Sequence, residues 1–546
     1  MKYIKLFKNH SEYEQYISGD TVALPNVSHC KQEVEVHYNP LIVVQPLIVK
    51  YSVIDASNST QLYTYMSQQG ITVNGAAMFD KVEIDDTEVS IADIDAEEGA
   101  YQLSSGEHTV KYTLKDPTII GLFGDPSDPT SVKIGATFIE CSNVASVEIP
   151  NSVTSIGSNA FYGCISLSSV TIGNSVTSID DWAFYNCSGL TSINIPNSVT
   201  SIGENAFSQC WSLLSVTIGN SVTNIGNMAF GGCDSLSSVT IGSGVTSIGQ
   251  SAFNGCSSLT SIEIPSGVTS IGSEAFNYCS SLSSVTIPDS VTSIGTNAFY
   301  QCSGLTSCTI GSGVTSIGSS AFGGCSGLTE LYYNASCEVN GNIGFNGKTS
   351  LRTVVIGYAT TSIGAGAFND CSGLTSVTIP SSVTSIGSDA FRNCIGLSSV
   401  TIGNSVTSIG EWAFYQCSGL TSITIPDSVT SIGRGAFQSC SSLSILAIGS
   451  GVTSISNAAF AGCSDLTNVT IGNSVTSIGE YAFYQCSGLT SIISLATTAP
   501  TIQPYTFQYI KTNGTLTVPS GSSGYNVWMG TGDYYLGKYG WTKVEQ

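Results

Sequence analysis

Cysteine is the residue type in this chain whose spacing most suggests chemistry. A step of 23 residues from Cys141 to Cys486 meets a cysteine at every position except Lys348. Thiolates act as nucleophiles and bind metals, and paired thiols form disulfides. From Cys164 onward we call these residues the thiol ladder: Cys164, Cys187, Cys210, Cys233, Cys256, Cys279, Cys302, Cys325, Cys371, Cys394, Cys417, Cys440, Cys463 and Cys486.

The ladder does not meet the requirements of any of these three chemistries. Zinc sites need ligands as close as C-x₂-C, and no ladder pair is that near. Disulfides would suit residues stacked about 5 Å apart, but stacked Cβ vectors point in parallel and do not converge. No histidine lies within the repeats to activate a thiol, since all four histidines precede residue 109. The ladder is therefore predicted to consist of buried thiols that act as small hydrophobic groups.

Other candidate sites are equally weak. His29, Cys30 and His37 could bind a metal or form a nucleophile pair, but an ordinary loop fits them better because no further ligands are apparent. The acidic stretch "DIDAEE" at 93–98 could bind Ca²⁺, yet it lacks the glycine and glutamate spacing of an EF-hand. Carboxylates in the repeats form no obvious glycosidase pair. The prediction is a protein without catalytic residues, metal or cofactor.

Charge and hydropathy exclude further classes. The net charge of -22 disfavours nucleic acid and anionic membranes as partners. The longest apolar run, at 41–54, is interrupted by Gln45, Pro46 and Lys50, so no membrane insertion is expected. The N-terminus lacks the apolar core of a signal peptide. A cytoplasmic or virion-associated protein is therefore one alternative to an exported one.

The elements that hold the cysteines repeat with them. In "LSSVTI" at 167–172, Val170 and Ile172 alternate with polar residues as in a strand. "SVTSIG" gives a second extended piece, and "SNAFYGC" predicts a short helical or 3₁₀ turn with Phe161 facing inward. One such coil has too few inward side chains to offset the entropy of ordering about 23 residues. Stacked coils would share one core, as in solenoid proteins.

The repeat "LSSVTIGNSVTSIDDWAFYNCSG" resembles the BspA-like, or Treponema-type, leucine-rich repeat over about residues 131–500. The resemblance implies a right-handed leucine-rich repeat solenoid. Its parallel β-sheet would lie on the concave face, with short strands and helical or 3₁₀ turns on the convex side. Members of the family are mostly bacterial surface or secreted proteins linked to adhesion and host-protein binding.

Four regions are predicted. Residues 1–40 form a leader with one short helix, which Ser11 and Glu14 cap. In residues 41–117, apolar and polar residues alternate as in the strands of a small all-β domain, which is predicted to be an Ig-like sandwich. The repeat array covers 118–500, and the aromatic-rich segment 501–546 is a C-terminal cap.

The candidate binding surface has two components. Serine and threonine occupy the outward strand positions, and aromatic residues decorate the turns unevenly. An irregular unit at 330–357, which is a kink, a contact surface or a worn repeat, adds two tyrosines and an arginine. The candidates are Ser169, Thr171, Ser192, Trp182, Tyr185, Trp211, Tyr300, Tyr332, Tyr333, Arg352, Trp412 and Tyr415.

These features predict a non-catalytic recognition or adhesion protein. Its partner would be a host or cell-surface protein or a glycan. The resemblance implies a bacterial protein that is at the cell surface or secreted, and a gut commensal is the expected source. The alternative is a structural or receptor-binding component of a phage or mobile element, and an enzyme is the third class.

Overall fold

A computed structural model describes residues 138–546 without a gap. Before them it describes 47–53, 60–61, 65–68, 71–74, 79–90, 92, 100–101, 103, 105–114 and 119–120. The predicted leader helix, His29, Cys30, His37 and the acidic stretch 93–98 lie outside the described residues. Among the described residues, no helix is both long enough and apolar enough to cross a membrane.

The repeats form a parallel β-solenoid of about 17 turns. Most turns contribute one strand of three to five residues and one two-residue strand, and equivalent residues of successive repeats pair directly. Ser192 pairs with Ser215, for example, and Ile202 pairs with Ile225. This register follows from the constant period, because a slip by one residue would turn every inward side chain outward.

The longer strands stack along one side of the solenoid. They are Val144–Glu148, Ser169–Thr171, Ser192–Ile195, Ser215–Ile218, Ser238–Thr240, Ser284–Ile287, Ser307–Ile310, Glu330–Tyr333, Thr353–Ile356, Ser376–Thr378, Ser399–Thr401, Ser422–Ile425, Ile445–Ile448, Asn468–Ile471, Ser491–Ser494, Thr515–Val518 and Thr542–Glu545. Outward residues of these strands are largely exposed and inward ones largely buried. The handedness of the solenoid and a concave position for this sheet remain predictions.

The two-residue strands form separate sheets. They are Ile119–Ile120, Ser155–Ile156, Ser178–Ile179, Ser201–Ile202, Asn224–Ile225, Ser247–Ile248, Ser270–Ile271, Ser293–Ile294, Ser316–Ile317, Ser362–Ile363, Ser385–Ile386, Ser408–Ile409, Ser431–Ile432, Ser454–Ile455, Ser477–Ile478 and Thr501–Ile502. Glycine follows the isoleucine because the chain there touches the previous turn. A Cβ on Gly226 would come within 2.4 Å of the Gly203 carbonyl oxygen.

An Ig-like sandwich is not confirmed. The described strands before the array are Leu47–Val53, Thr60–Gln61, Tyr65–Gln68, Ile71–Asn74, Phe79–Ile84, Thr87–Val89, Ala100–Tyr101 and Gly106–Leu114. Leu47–Val53 pairs antiparallel with both Gly106–Leu114 and the first long strand of the array, Val144–Glu148. Four of these strands, Leu47–Val53, Gly106–Leu114, Phe79–Ile84 and Thr87–Val89, therefore extend the solenoid's own sheet, and the other four form two separate two-stranded sheets.

The turn around the phenylalanine is not the expected helical or 3₁₀ segment. Two residues per repeat adopt left-handed backbone conformations, such as Asn159 with φ 57° and Gly163 with φ 72°. Left-handed residues interrupt helical hydrogen bonding, so the chain makes consecutive turns instead. In the described residues, 3₁₀ helices occur only at Gly341–Ile343 and Leu536–Tyr539.

A column of stacked phenylalanine rings runs through the core. Phe138, Phe161 and Phe184 lie with ring centroids 5.1 to 5.3 Å apart and nearly parallel planes. The column continues once per turn to Phe507. Since every ring is covered by the rings before and after it, the core of each turn depends on its neighbours.

The C-terminal segment closes this column, although it also continues the strand pattern. Thr515–Val518 and Thr542–Glu545 add two parallel strands beyond residue 500. Trp528 is buried and lies 5.3 Å from the ring of Phe507, and its Nε1 donates to the Pro500 carbonyl at 2.9 Å. The last open core is thereby covered with aromatic surface.

Candidate functional site

Every thiol of the ladder is buried with no measurable exposure. Each also donates a hydrogen bond to the carbonyl of the phenylalanine 26 residues earlier, in the previous turn. The Sγ of Cys164 lies 2.9 Å from the Phe138 oxygen, and that of Cys256 lies 3.3 Å from the Phe230 oxygen. These bonds tie consecutive turns together.

Burial also makes the thiols chemically inert. It raises the pKa of Cys210 and of Cys279 from 9.0 to about 12, and that of Cys325 to about 11. Because the thiolate is the reactive form, a thiol that stays neutral is a poor nucleophile and a poor metal ligand. In the described part of the chain, no group of three or more Cys, His, Asp or Glu side chains could hold a metal ion.

Labelling with a maleimide should reveal this protection. Among the seventeen described cysteines, we expect native protein to react rapidly at Cys337 alone, which is half-buried, while the other sixteen are buried. In denaturant all 18 cysteines of the chain should react, as seen by intact mass. Rapid native labelling of ladder cysteines, or cysteines that stay unreactive after denaturation without reductant, would contradict the assignment.

Lys348 interrupts the ladder between Cys325 and Cys371. Its side chain is only 7% exposed, and burial lowers the pKa of its ammonium group. No ion pair to Lys348 exists among the described residues. The position therefore holds a partly desolvated cation in a column built for neutral groups.

Replacing this lysine should stabilise the array. Below the lowered pKa the folded state bears an unfavourable buried charge, so Lys348→Cys is expected to raise the unfolding free energy at pH 7 by about 1 kcal/mol or more. The gain should shrink as the pH rises toward 10.5, where the lysine becomes neutral in both states. Urea unfolding at pH 7 and at pH 8.5, where the array is still folded, measures both effects, with the exposed Lys511→Ser as the neutral control. A lower stability for Lys348→Cys would refute the argument.

The predicted hydroxyl candidates lie on one face. Ser169, Thr171 and Ser192 are exposed on the long-strand sheet. Other threonines, at the corner before each two-residue strand, are engaged between turns: the Thr177 hydroxyl donates to the Thr154 carbonyl at 2.9 Å. The sheet face therefore keeps its hydroxyls available, while the corner threonines hold the stack together.

The irregular unit requires a correction. Tyr333 does not belong to a binding surface, because its side chain is fully buried and its hydroxyl donates to the Cys337 carbonyl at 3.2 Å. Tyr332 is 40% exposed on the sheet face, and Arg352 is exposed with its guanidinium donating to the Thr349 carbonyl at 2.8 Å. Sequence reasoning missed the exposed Val355 and Tyr358, although apolar residues at outward strand or turn positions could have revealed them.

The turn aromatics near the start of the array form their own cluster. Trp182 and Tyr185 are half-buried with centroids 4.8 Å apart, and the Tyr162 ring stacks on Tyr185 at 5.0 Å. Trp211 is exposed, and its Nε1 donates to the Gln209 side chain at 2.8 Å. Tyr300 lies several turns beyond this cluster and packs edge-on against Tyr278.

Trp412 and Tyr415 form a second cluster, with arginines that sequence reasoning missed. The guanidinium carbon of Arg392 lies 5.3 Å from the Tyr415 ring centroid, and that of Arg434 lies 5.8 Å from the Trp412 ring centroid. The signal was present in the sequence, since all three arginines of the chain fall between residues 352 and 434. The exposed candidates thus lie on a hydroxyl sheet face and on separate aromatic turn clusters, and do not form one contiguous site.

Comparisons with known proteins agree with this architecture. A family model described as "BspA type Leucine rich repeat region (6 copies)" matches residues 133–260, 246–374, 361–490 and 440–527. No curated protein matches the chain.

Several solved structures are similar in sequence. A leucine-rich repeat protein from Bacteroides ovatus is 25% identical over 80% of this chain and 94% of that one, with a TM-score of 0.44. A leucine-rich cell surface protein from Faecalibacterium prausnitzii is 36% identical over 54% of this chain and 82% of that one, with a TM-score of 0.31. A leucine-rich repeat protein from Eubacterium ventriosum is 26% identical over 63% and 87%, with a TM-score of 0.28.

Proposed function

The chain belongs to the BspA-type leucine-rich repeat family, and on this basis we propose that it is a non-catalytic recognition protein of the bacterial cell surface. It presents the exterior of its solenoid to a protein or glycan partner. Proteins of this family are typically found at the cell surface, and the similar Faecalibacterium protein carries that description.

One observation carries the proposal. The repeats commit their thiols and phenyl rings to an internal column, while strand hydroxyls and turn aromatics remain on the outside. A surface of hydroxyl and aromatic groups forms hydrogen bonds and buries apolar area on contact, as binding interfaces do. The constant register extends that surface over the whole array, so it suits a long partner better than a small substrate.

A binding screen with the purified full chain tests the proposal. Immobilised host matrix proteins and glycans would be probed by surface plasmon resonance. Binding should be saturable, and it should be the same with and without a thiol reductant. Protease accessibility on intact cells tests the location. Turnover of a glycan or peptide substrate would contradict the non-catalytic role, and recovery of the chain only from cytosol or virions would favour the phage-component alternative.

A further inference from the structure

Positive charge is concentrated in one part of the array. Between residues 138 and 500 the chain has four cationic side chains, Lys348, Arg352, Arg392 and Arg434, and Lys348 is buried. Arg392 lies over the Tyr415 ring, and Arg434 lies over the Trp412 ring. In a chain of net charge -22, two guanidinium groups beside one aromatic pair form a local site of unusual composition.

The two guanidinium groups differ in their partners. Arg392 Nη1 lies 3.2 Å from Asp389 Oδ1, which holds the side chain in place. Within the described residues Arg434 has no carboxylate partner and contacts only the indole face of Trp412. Arg434 is exposed, so its guanidinium group can bind a carboxylate through two parallel hydrogen bonds, in bidentate geometry.

An open cavity of about 340 Å³ lies at this cluster, and Arg434, which does not line it, lies beside its Trp412 wall. Arg392, Trp412, Tyr415 and Gln438 line it. Aromatic rings can pack against the C–H face of a pyranose, and the guanidinium and amide groups can donate to its oxygens. The cavity is therefore large enough, and of suitable chemistry, for one sugar unit.

The backbone places the indole at an energetic cost. Trp412 adopts a left-handed conformation with φ 51°, which Asn159, Asn205 and Asn297 adopt at the same repeat position. Bulky side chains are rare in this conformation, and asparagine tolerates it. The next turn makes room with Gly435, where a Cβ would approach the Trp412 ring to 2.6 Å. The same position is left-handed at Trp182, Met228 and Tyr481, so the conformation belongs to the repeat, and the glycine of the next turn makes the space for the Trp412 ring.

The first aromatic cluster provides an internal comparison. Trp182 and Tyr185 occupy the same repeat positions as Trp412 and Tyr415, 230 residues or ten 23-residue periods earlier. Where the second cluster has Arg392 and Arg434, the first has Tyr162 and Glu204. The chain therefore carries the same aromatic pair twice, once with cationic neighbours and once without.

From these observations we propose that Arg392, Trp412, Tyr415 and Arg434 bind the carboxylate-bearing sugar units of an acidic glycan. The rings pack against the sugar face, and Arg434 binds the carboxylate. This inference rests on the proposed recognition function, for which it names a place and a ligand class. The rings alone would accept a neutral sugar, so the arginines are what select for the acid.

Calorimetry with matched ligands tests the proposal on the full chain. The probes are oligogalacturonate and its methyl ester, and sialyllactose and lactose, since each pair differs in the presence of a free carboxylate. At least one acidic probe should bind, at least tenfold tighter than its neutral counterpart, and its affinity should fall with added salt. Arg434→Gln should lose about tenfold or more, the loss typical of a charge-assisted hydrogen bond.

Two tryptophan variants separate binding from folding. Trp412→Asn places a residue that this turn position accepts elsewhere, so the fold is retained and binding should fall at least tenfold. Trp182→Asn is the matched control at the first aromatic cluster and should leave binding unchanged. Equal binding of both members of each probe pair, binding of acidic peptides in place of sugars, or equal effects of the two variants would overturn the proposal.

Failure here is distinguishable from failure of the recognition function. If the chain binds a matrix protein or neutral glycan in the screen but neither acidic probe, only the acidic-glycan site is refuted. If no partner of any class binds, the recognition function falls as well.

Discussion

Raising the pH from 8 to about 10.5 is expected to unfold the array cooperatively. Burial raises the pKa of fifteen described thiols above 9.0, among them Cys210, Cys279 and Cys463 to about 12. A thiol that is neutral when folded and ionised when unfolded favours unfolding at alkaline pH.

The direction of the effect follows from proton binding. Above pH 9 the folded state holds more protons than the unfolded chain, so stability is fully present below pH 9 and is lost as the pH rises toward the raised values. At pH 10 each thiol removes about 1.4 kcal/mol, and fifteen together remove about 20 kcal/mol. This exceeds the roughly 5–15 kcal/mol of a typical domain, so unfolding should begin before pH 11.

Circular dichroism and thiolate absorbance, recorded together in the presence of reductant, measure this transition. Both signals should change over the same pH interval, because the thiols cannot ionise until the turns separate. A double variant, Cys256→Ala with Cys279→Ala, should reduce the pH dependence of the unfolding free energy by about 2.7 kcal/mol per pH unit. The control Val268→Ala lowers stability without changing that slope. Ionisation of the ladder thiols at pH 9 while the fold persists would contradict the prediction.

Much of the fold was predictable because the 23-residue period and the alternation of apolar and polar residues in each strand specify the same structure. Val170 and Ile172 alternate with exposed residues, and the 23-residue step then sets the register of the neighbouring strands. The buried phenylalanine and cysteine positions follow from the same step. What the sequence pattern did not contain was the partner of each thiol, since the bond to a phenylalanine carbonyl depends on how far one turn is displaced from the next.

The turn conformation was predicted wrongly for a local reason. "SNAFYGC" is compatible with a short helix when one copy is considered alone. Across the copies, the residue before the cysteine is most often glycine, glutamine or asparagine, as at Gly163, Gln209 and Asn186. Asparagine and glycine are typical of left-handed positions, so comparing the copies could have predicted the conformation observed.

The error at Tyr333 has a similar origin. Counting back 23 residues from Tyr333 reaches Ile310, an inward strand residue that is buried. The unit at 330–357 looked irregular, so its tyrosines were grouped as surface residues. Its strand nevertheless keeps the register, with Ile310 paired to Tyr333 and Tyr333 to Ile356. Register therefore predicts burial better than residue type does in this chain.

The N-terminal region was less predictable. Alternating apolar and polar residues in 41–117 suit a separate sandwich and an extension of the solenoid's sheet equally well, because both arrangements bury one face of each strand. Pairing between Leu47–Val53 and Val144–Glu148 depends on residues nearly 100 positions apart. No local pattern reveals such a contact.

Replacing one ring of the phenylalanine column should cause the largest loss of stability from a single substitution. Phe253 is fully buried, with its ring 5.3 Å from that of Phe230 and 5.4 Å from that of Phe276. Phe253→Ala removes a stacked ring and leaves a cavity that the stacked backbone cannot close. The expected loss is about 3–5 kcal/mol, measured by urea unfolding. Tyr278→Asn, an exposed ring one turn later, is the control and should change stability by less than about 1 kcal/mol.

The position of the defect should also change how the array unfolds. In a solenoid each turn contacts only its neighbours, so stability is the sum of turn and interface contributions. A cavity at Phe253 weakens two internal interfaces and should divide one unfolding transition into two, with a smaller apparent slope in denaturant. The same substitution at Phe483, near the C-terminal end, should mainly destabilise the last turns and the cap. Identical single transitions for both variants would indicate that coupling extends beyond adjacent turns.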